Sequence, residues 1–184
     1  MKYYVDFAAQ SGLEYMLVDA NWDIMDNGNI HDVLRHAKAR GVGVLLWYNS
    51  GGPHNVVTEK PRDSLTYKDV RRFELELLKK WGVKGIKVDF FQSDKQDVIG
   101  LYHGILEDAA AHQIMINFHG CTLPRGWSRT YPHLVGMEAI RGAECYIFAK
   151  EFPDGLLLTF SQRPDVLARG TKSAGGADAL QGEP

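Results

Sequence analysis

Lys87 and Asp89 stand two residues apart in "VKGIKVDFFQSD", an apolar run that reads as a buried strand. An unpaired buried charge is expensive, so the two charges must have partners or a task. Alternation along a strand puts Ile86, Val88 and Phe90 on one face. Lys87, Asp89 and Phe91 fall on the other. "INFHG" repeats the pattern, with Asn117 and His119 opposite Ile116 and Phe118. "GMEAIRGAE" adds Glu138 on a weak strand and Glu144 in the loop that follows. A buried strand-end acid with a second acid on a nearby loop is the minimal set for glycoside hydrolysis: one nucleophile or base, one general acid.

Each of these residues also has a plainer reading. Lys87 and Asp89 could form a structural ion pair. His119 could be a satisfied core histidine, or could donate to a sugar hydroxyl or a carboxylate. It has no second His or Cys at metal-site spacing. Glu144 could be a solvated loop charge or a partner for Arg141. Trp22, Trp47, Phe91, Trp127 and Tyr131 suit the apolar faces of a sugar ring and equally suit rim packing. "NSGGPHN" reads as a loop with His54 at its tip, able to reach a ligand. Asp94 and Asp97 read as a helix start favoured by the dipole.

Strands and helices alternate to position these groups. "LEYMLVDANW", "VGVLLWYNSGG", the Lys87 strand, "IMINFHG" and a weaker "LVGMEAI" read as strands. Between them, Ile30, Val33, Leu34 and Ala37 share one helical face, and so do Val70, Phe73, Leu77, Leu78 and Trp81. Val98, Leu101, Tyr102, Ile105 and Ala109 form a third such face, and a further helix precedes Leu13. This order implies βαβ units and a parallel sheet buried on both faces. No glycine-rich phosphate loop follows any strand. Polar and aromatic residues gather at the C-terminal ends of several strands: Asp19 and Trp22, Trp47 and Asn49, Asp89, Asn117 and His119, and Glu138. That favours a (β/α)8 barrel over a doubly wound sheet. A barrel takes eight strands and ~250 residues. Five strands in 184 residues imply a portion of one. Residues 1–155 are expected to form a partial (β/α)8 catalytic barrel, and 156–184 a divergent, loose C-terminal tail.

Bulk properties remove other classes. A net charge of -2, from 21 basic and 23 acidic residues, gives no electrostatic reason to expect nucleic acid or an anionic membrane as partner. No apolar run reaches the ~18 residues of a membrane span. "MKYYVDFAAQSGLEY" lacks the apolar core of a secretion signal. Two cysteines, Cys121 and Cys145, make neither a disulfide framework nor a metal set.

Taken in order, "YMLVDANW", "VGVLLWYNSGG", "IKVDFFQSDKQ", "INFHGCTLPRGWSRTYPH" and "GMEAIRGAE" resemble glycoside hydrolase family 97 over roughly residues 1 to 155. The ordered set is specific, though no single piece is. The resemblance implies a central (β/α)8 barrel between two β-domains, with this chain covering about strands 2 to 6. It implies a retaining α-galactosidase, with Asp89 as nucleophile and Glu144 as acid/base. Inverting relatives lack that aspartate. It also implies substrate-binding roles for Lys87, Asn117, His119, Asp19 and Trp47, and a calcium ion with Glu138 among its ligands, the site being incomplete in this chain. Asn21 departs from the Gly-Trp that follows the acidic strand end in relatives. The implied partner is an α-galactoside or related oligosaccharide, and the implied location is periplasmic or secreted. The alternatives are a catalytically inactive barrel fragment that needs missing segments, or a related α-glucosidase or β-L-arabinopyranosidase.

Overall fold

The computed structural model describes residues 1–140 and Gly142. Glu144, Cys145 and the expected tail at 156–184 lie outside the described residues. Helix α1 (Lys2–Gln10) leads into β1 (Tyr15–Val18), α2 (Ile30–Ala39), β2 (Gly43–Asn49) and α3 (Lys68–Trp81). Then come β3 (Gly85–Asp89), α4 (Gln96–His112), β4 (Met115–Phe118) and β5 (Leu134–Met137). The five strands form one all-parallel sheet in the order β1-β2-β3-β4-β5. A doubly wound sheet reverses its strand order at a switch point. No reversal occurs among the described residues.

Local sequence explains where the elements begin and end. The Asn29 side chain accepts from the Asp32 N–H at 3.0 Å and caps α2. Its four periodic residues, Ile30, Val33, Leu34 and Ala37, are all buried, as expected. Asp6 of α1 ties the two helices together, 2.9 Å from His36 and 2.7 Å from Arg40. Gly82 closes α3 in the left-handed conformation (φ 82°) that glycine adopts freely.

One sheet face carries the core. Val18, Leu46, Tyr48, Ile86, Val88, Ile116 and Phe118 are each 0% exposed. Burying such a side chain stabilises the fold by about 1.5–3 kcal/mol. The strands therefore alternate cleanly: one face packs under helices and the other carries the polar groups.

Two expected faces are corrected. In α3, Val70 and Phe73 are exposed at 48% and 70%, and the buried residues are Arg71, Leu75 and Leu78. The cause is an ion pair that hydropathy cannot mark. Arg71 reaches α4 and donates to Asp108 from Nε at 2.8 Å, with its NH2 nitrogen 2.6 Å away. Arg72 Nε donates to the other oxygen at 2.7 Å. Gly104 leaves the room, since a Cβ there would lie 2.8 Å from the Arg71 guanidinium.

Beyond β3, Phe91 was expected beside Asp89. It instead stacks on Tyr102 of α4, with ring centroids 3.8 Å apart. Phe90 adopts a left-handed backbone (φ 64°), so alternation stops at Asp89. Phe90 then turns its ring to Trp47, at 5.9 Å, and Phe91 enters the core.

Candidate active site

The polar face of the sheet collects one or more groups from the C-terminal end of each strand. Parallel register sets Trp47 beside Lys87 and Asn49 beside Asp89. It also sets Lys87 beside Asn117. Asp19, His119 and Glu138 each stand one residue past β1, β4 and β5. The ladder still reaches two of them: His119 N–H donates to Val88 at 2.9 Å, and Glu138 N–H to Phe118 at 2.8 Å.

Asp89 is the centre of the cluster and is 4% exposed. His119 Nδ1 lies 3.0 Å from its Oδ2. The Trp47 indole N–H donates to the same oxygen at 3.1 Å. The Lys87 ammonium is 3.7 Å away. The Phe90 backbone N–H donates to Oδ1 at 2.7 Å. Lys87 also reaches Asp19 at 3.1 Å, and His119 Nε2 reaches Glu138 at 3.4 Å. One chain of charges thus runs from β1 to β5: Asp19, Lys87, Asp89, His119, Glu138. The expected ion pair of Lys87 and Asp89 exists, inside this larger network.

Burial is the largest influence on the Asp89 carboxyl and pushes its pKa up. The hydrogen bond and charge of His119, the Trp47 N–H and the Lys87 ammonium outweigh it, and the group is held below the usual carboxylate range. For His119, burial favours the neutral ring. The hydrogen bond and charge of Asp89, helped by Glu138, win and raise it above the ordinary histidine value. The arrangement holds a buried, ionised, oriented aspartate beside a histidine that favours its cation. Cys121, behind Glu138, is pushed up to about 12, chiefly by burial and then by the Glu138 and Asp89 charges. Its thiol is inert at neutral pH.

Glycines shape the site at two points. Gly120 has φ 48°, and a Cβ there would lie 2.9 Å from Asp89 Oδ1. Its N–H donates to Glu138 at 3.3 Å. At β5, a bulge makes Val135 the extra residue, so Asn117 pairs with Gly136. The Asn117 side-chain oxygen lies 2.8 Å from where a Gly136 Cβ would stand.

The remaining expected site residues divide by face. Trp47 is 1% exposed and holds Asp89 through its indole N–H. Trp22 donates to the Trp47 carbonyl at 2.7 Å and packs against Tyr48 and Trp81. Trp127 and Tyr131 pack around His103 of α4. Of the expected aromatics, Trp47 alone shares the face of the carboxylates, and Phe90 joins it. Asn21 takes a left-handed backbone (φ 64°) that Asn tolerates. Its side chain accepts from the Lys60 N–H at 3.1 Å.

The strand-end Asn49 belongs to a buried polar cluster whose other members, Ser50 and Asn55, were not foreseen. Asn49, Ser50 and Asn55 are 0%, 0% and 4% exposed. Arg62 closes the loop around them, donating to Asn55 Oδ1 at 2.7 Å and to the Gly52 carbonyl at 3.0 Å. The run "NSGGPHN" is the sequence signal for it.

Calcium needs six to eight oxygen ligands. Among the described residues, no group of three or more His, Cys, Asp or Glu is arranged to hold a metal ion. Glu138 is the expected ligand, and one of its oxygens faces the Gly120 N–H and His119. The described residues do not by themselves fit a calcium site.

Comparison with known proteins gives this geometry its family. The glycoside hydrolase 97 family model matches residues 1–140. A probable retaining α-galactosidase of Streptomyces bingchenggensis is 39% identical over 155 residues, 78% of this chain and 22% of its own length. The retaining α-galactosidase of Bacteroides thetaiotaomicron is 30% identical over 152 residues, 78% of this chain and 21% of its own. A solved β-arabinopyranosidase is 43% identical with TM-score 0.75, over 80% of this chain and 24% of its own. A family 97 enzyme from Pseudoalteromonas sp. strain K8, solved with acarbose, shares the fold at TM-score 0.62 and 23% identity. The chain belongs to glycoside hydrolase family 97. It spans about a fifth of the length of these two α-galactosidases.

Proposed function

We propose that this chain carries part of the catalytic centre of a retaining glycosidase acting on α-galactosides. Asp89 is the nucleophile. The observation that carries this reading is the setting of its carboxylate: buried, kept ionised, and gripped by His119, Trp47 and the Phe90 N–H. In the first step an Asp89 oxygen bonds to the anomeric carbon while Glu144 gives its proton to the departing glycosidic oxygen. In the second step Glu144 takes a proton from water, the water oxygen bonds to the anomeric carbon, and Asp89 leaves. A carboxylate held at low pKa by His119 is a good leaving group for that step. Lys87 and Asp19, paired at the rim, hold sugar hydroxyls, with Asn117 beside them. Trp47 keeps the nucleophile in line.

The five strands correspond to about strands 2 to 6 of a (β/α)8 barrel. Their sequential order supports this, as does a core face under helices opposite a polar face with its charges at the C-terminal strand ends. Glu138 would ligate calcium together with further oxygen donors, since no group of three or more His, Cys, Asp or Glu among the described residues is arranged to hold a metal ion.

The β-arabinopyranosidase match supports a second substrate. A β-L-arabinopyranoside presents the same ring hydroxyls as an α-D-galactoside without the hydroxymethyl arm. Hydrolysis of nitrophenyl α-galactoside, β-L-arabinopyranoside and α-glucoside, with calcium added, separates the readings. Activity on the first or second that disappears in Asp89→Asn supports the proposal. A folded protein inactive on all three supports the fragment alternative. Activity that survives Asp89→Asn removes the nucleophile assignment.

A further inference from the structure

Phe90 is the outlier of the site. A bulky residue at φ 64° is rare and sterically strained. Strain of this kind persists only where the surroundings impose it. Here its consequences are functional: the turn stops the strand at Asp89, aims the Phe90 N–H back at Asp89 Oδ1, and seats Phe91 in the core.

Ser50, at the end of the neighbouring strand, holds this turn from both sides. Its backbone N–H donates to the Asp89 carbonyl at 2.9 Å. Its hydroxyl donates to the Phe90 carbonyl at 3.1 Å. The hydroxyl has one proton, and it is spent there. Asn55 donates to the Ser50 hydroxyl oxygen at 3.0 Å, and His54 Nε2 lies 3.1 Å from it. Asn55 is fixed in turn by Asn49 at 3.1 Å and by Arg62. The whole cluster is buried and its hydroxyl points at one peptide.

We infer that Ser50 is a positioning residue for the reaction: it clamps the Asp89–Phe90 turn, and through the turn it sets the direction of the Asp89 carboxylate. The inference rests on the reading of Asp89 as nucleophile. Asn55 holds Ser50 and Arg62 holds Asn55; neither contacts Asp89 or Phe90 among the described hydrogen bonds, so they act further back.

Ser50→Ala deletes the hydroxyl and keeps the N–H. The test combines kcat and KM on the preferred nitrophenyl glycoside with the Phe90 backbone angle from a crystal structure of the variant. Misaiming a nucleophile costs up to about a hundredfold in rate. The expected result is a kcat lower by between about tenfold and a hundredfold, little change in KM, and a Phe90 that leaves the left-handed region. Ser50→Cys keeps the shape with a weaker donor, serves if the alanine variant cannot be purified, and should fall between the two. An active wild type with kcat unchanged in the variants overturns the inference and leaves the glycosidase reading intact. So does a Phe90 that keeps its φ without the hydroxyl. A wild type inactive on every glycoside overturns both together. A KM rise at constant kcat would place Ser50 in substrate binding instead, against the inference.

Discussion

His119 and Asp89 meet with Nδ1 3.0 Å from Oδ2, and the other ring nitrogen faces Glu138 at 3.4 Å. The imidazole thus joins two carboxylates delivered by different strands. Its two ring nitrogens are both donors only in the cation, which is the form both carboxylates favour.

Replacing His119 with Gln should raise the Asp89 carboxyl pKa toward the ordinary aspartate value. His119 is the largest of the influences that lower it, and Lys87 is the smallest of those named above. The His119→Gln shift should therefore exceed that of Lys87→Met. Carbon-13 NMR of the labelled aspartate carboxyl measures both. Equal shifts, or a larger one for Lys87→Met, would show that the ammonium and not the imidazole keeps Asp89 ionised.

The Arg71–Asp108–Arg72 cluster makes the fold acid-sensitive away from the site. Burial pushes the Asp108 carboxyl up, but the hydrogen bonds and charges of Arg72 and Arg71 outweigh it and lower its pKa. A lowered folded value contributes stability above the unfolded pKa of about 3.9 and loses it as pH falls through the folded value. Asp108→Ala leaves Arg71 buried and unpaired, at a cost of ~3 kcal/mol, or roughly a 10 °C fall in Tm. Thermal melts of both proteins should converge as pH drops below about 3.9. A Tm difference that stays constant down to pH 2 would mean that the pair contributes packing alone.

Gly120→Ala tests the close approach of the β4 loop to Asp89. A Cβ at φ 48° costs about 1 kcal/mol and would press on the carboxylate from 2.9 Å. The expected outcome is a Tm lower by a few degrees and a kcat lower by about tenfold or more. An alanine variant with wild-type kcat would mean that the Asp89 carboxylate has room to move without loss.

All five strands and the α2 face were legible in the sequence, because apolar runs and 3.6-residue spacing mark them directly. The α3 face was legible only in part: Leu78 is buried and Trp81 packs against the core, but Val70 and Phe73 are exposed. Arg71 is buried by an ion pair with Asp108, 37 positions away, and hydropathy scores an arginine as outward. Alternation placed Asp89 with Lys87 correctly, then failed at Phe91, because the left-handed Phe90 breaks the period of two. The aromatics were sorted poorly for a related reason: Trp22 and Trp127 open single-turn 3-10 helices and Tyr131 follows one, too short for any period to fix their direction. Ser50 was hidden because its partner carbonyl lies 40 residues further on. Asn21 was legible only as a departure, and its left-handed backbone explains why an asparagine serves there.

The nucleophile reading requires a covalent bond between Asp89 and the sugar. A fluorinated α-galactosyl substrate whose second step is slowed should trap that bond, and peptide mass spectrometry then locates it. The expected result is a fluorogalactosyl adduct on the peptide that contains Asp89, and none in Asp89→Asn. Turnover with the adduct on another carboxylate, or a first-formed sugar of inverted configuration, would contradict it.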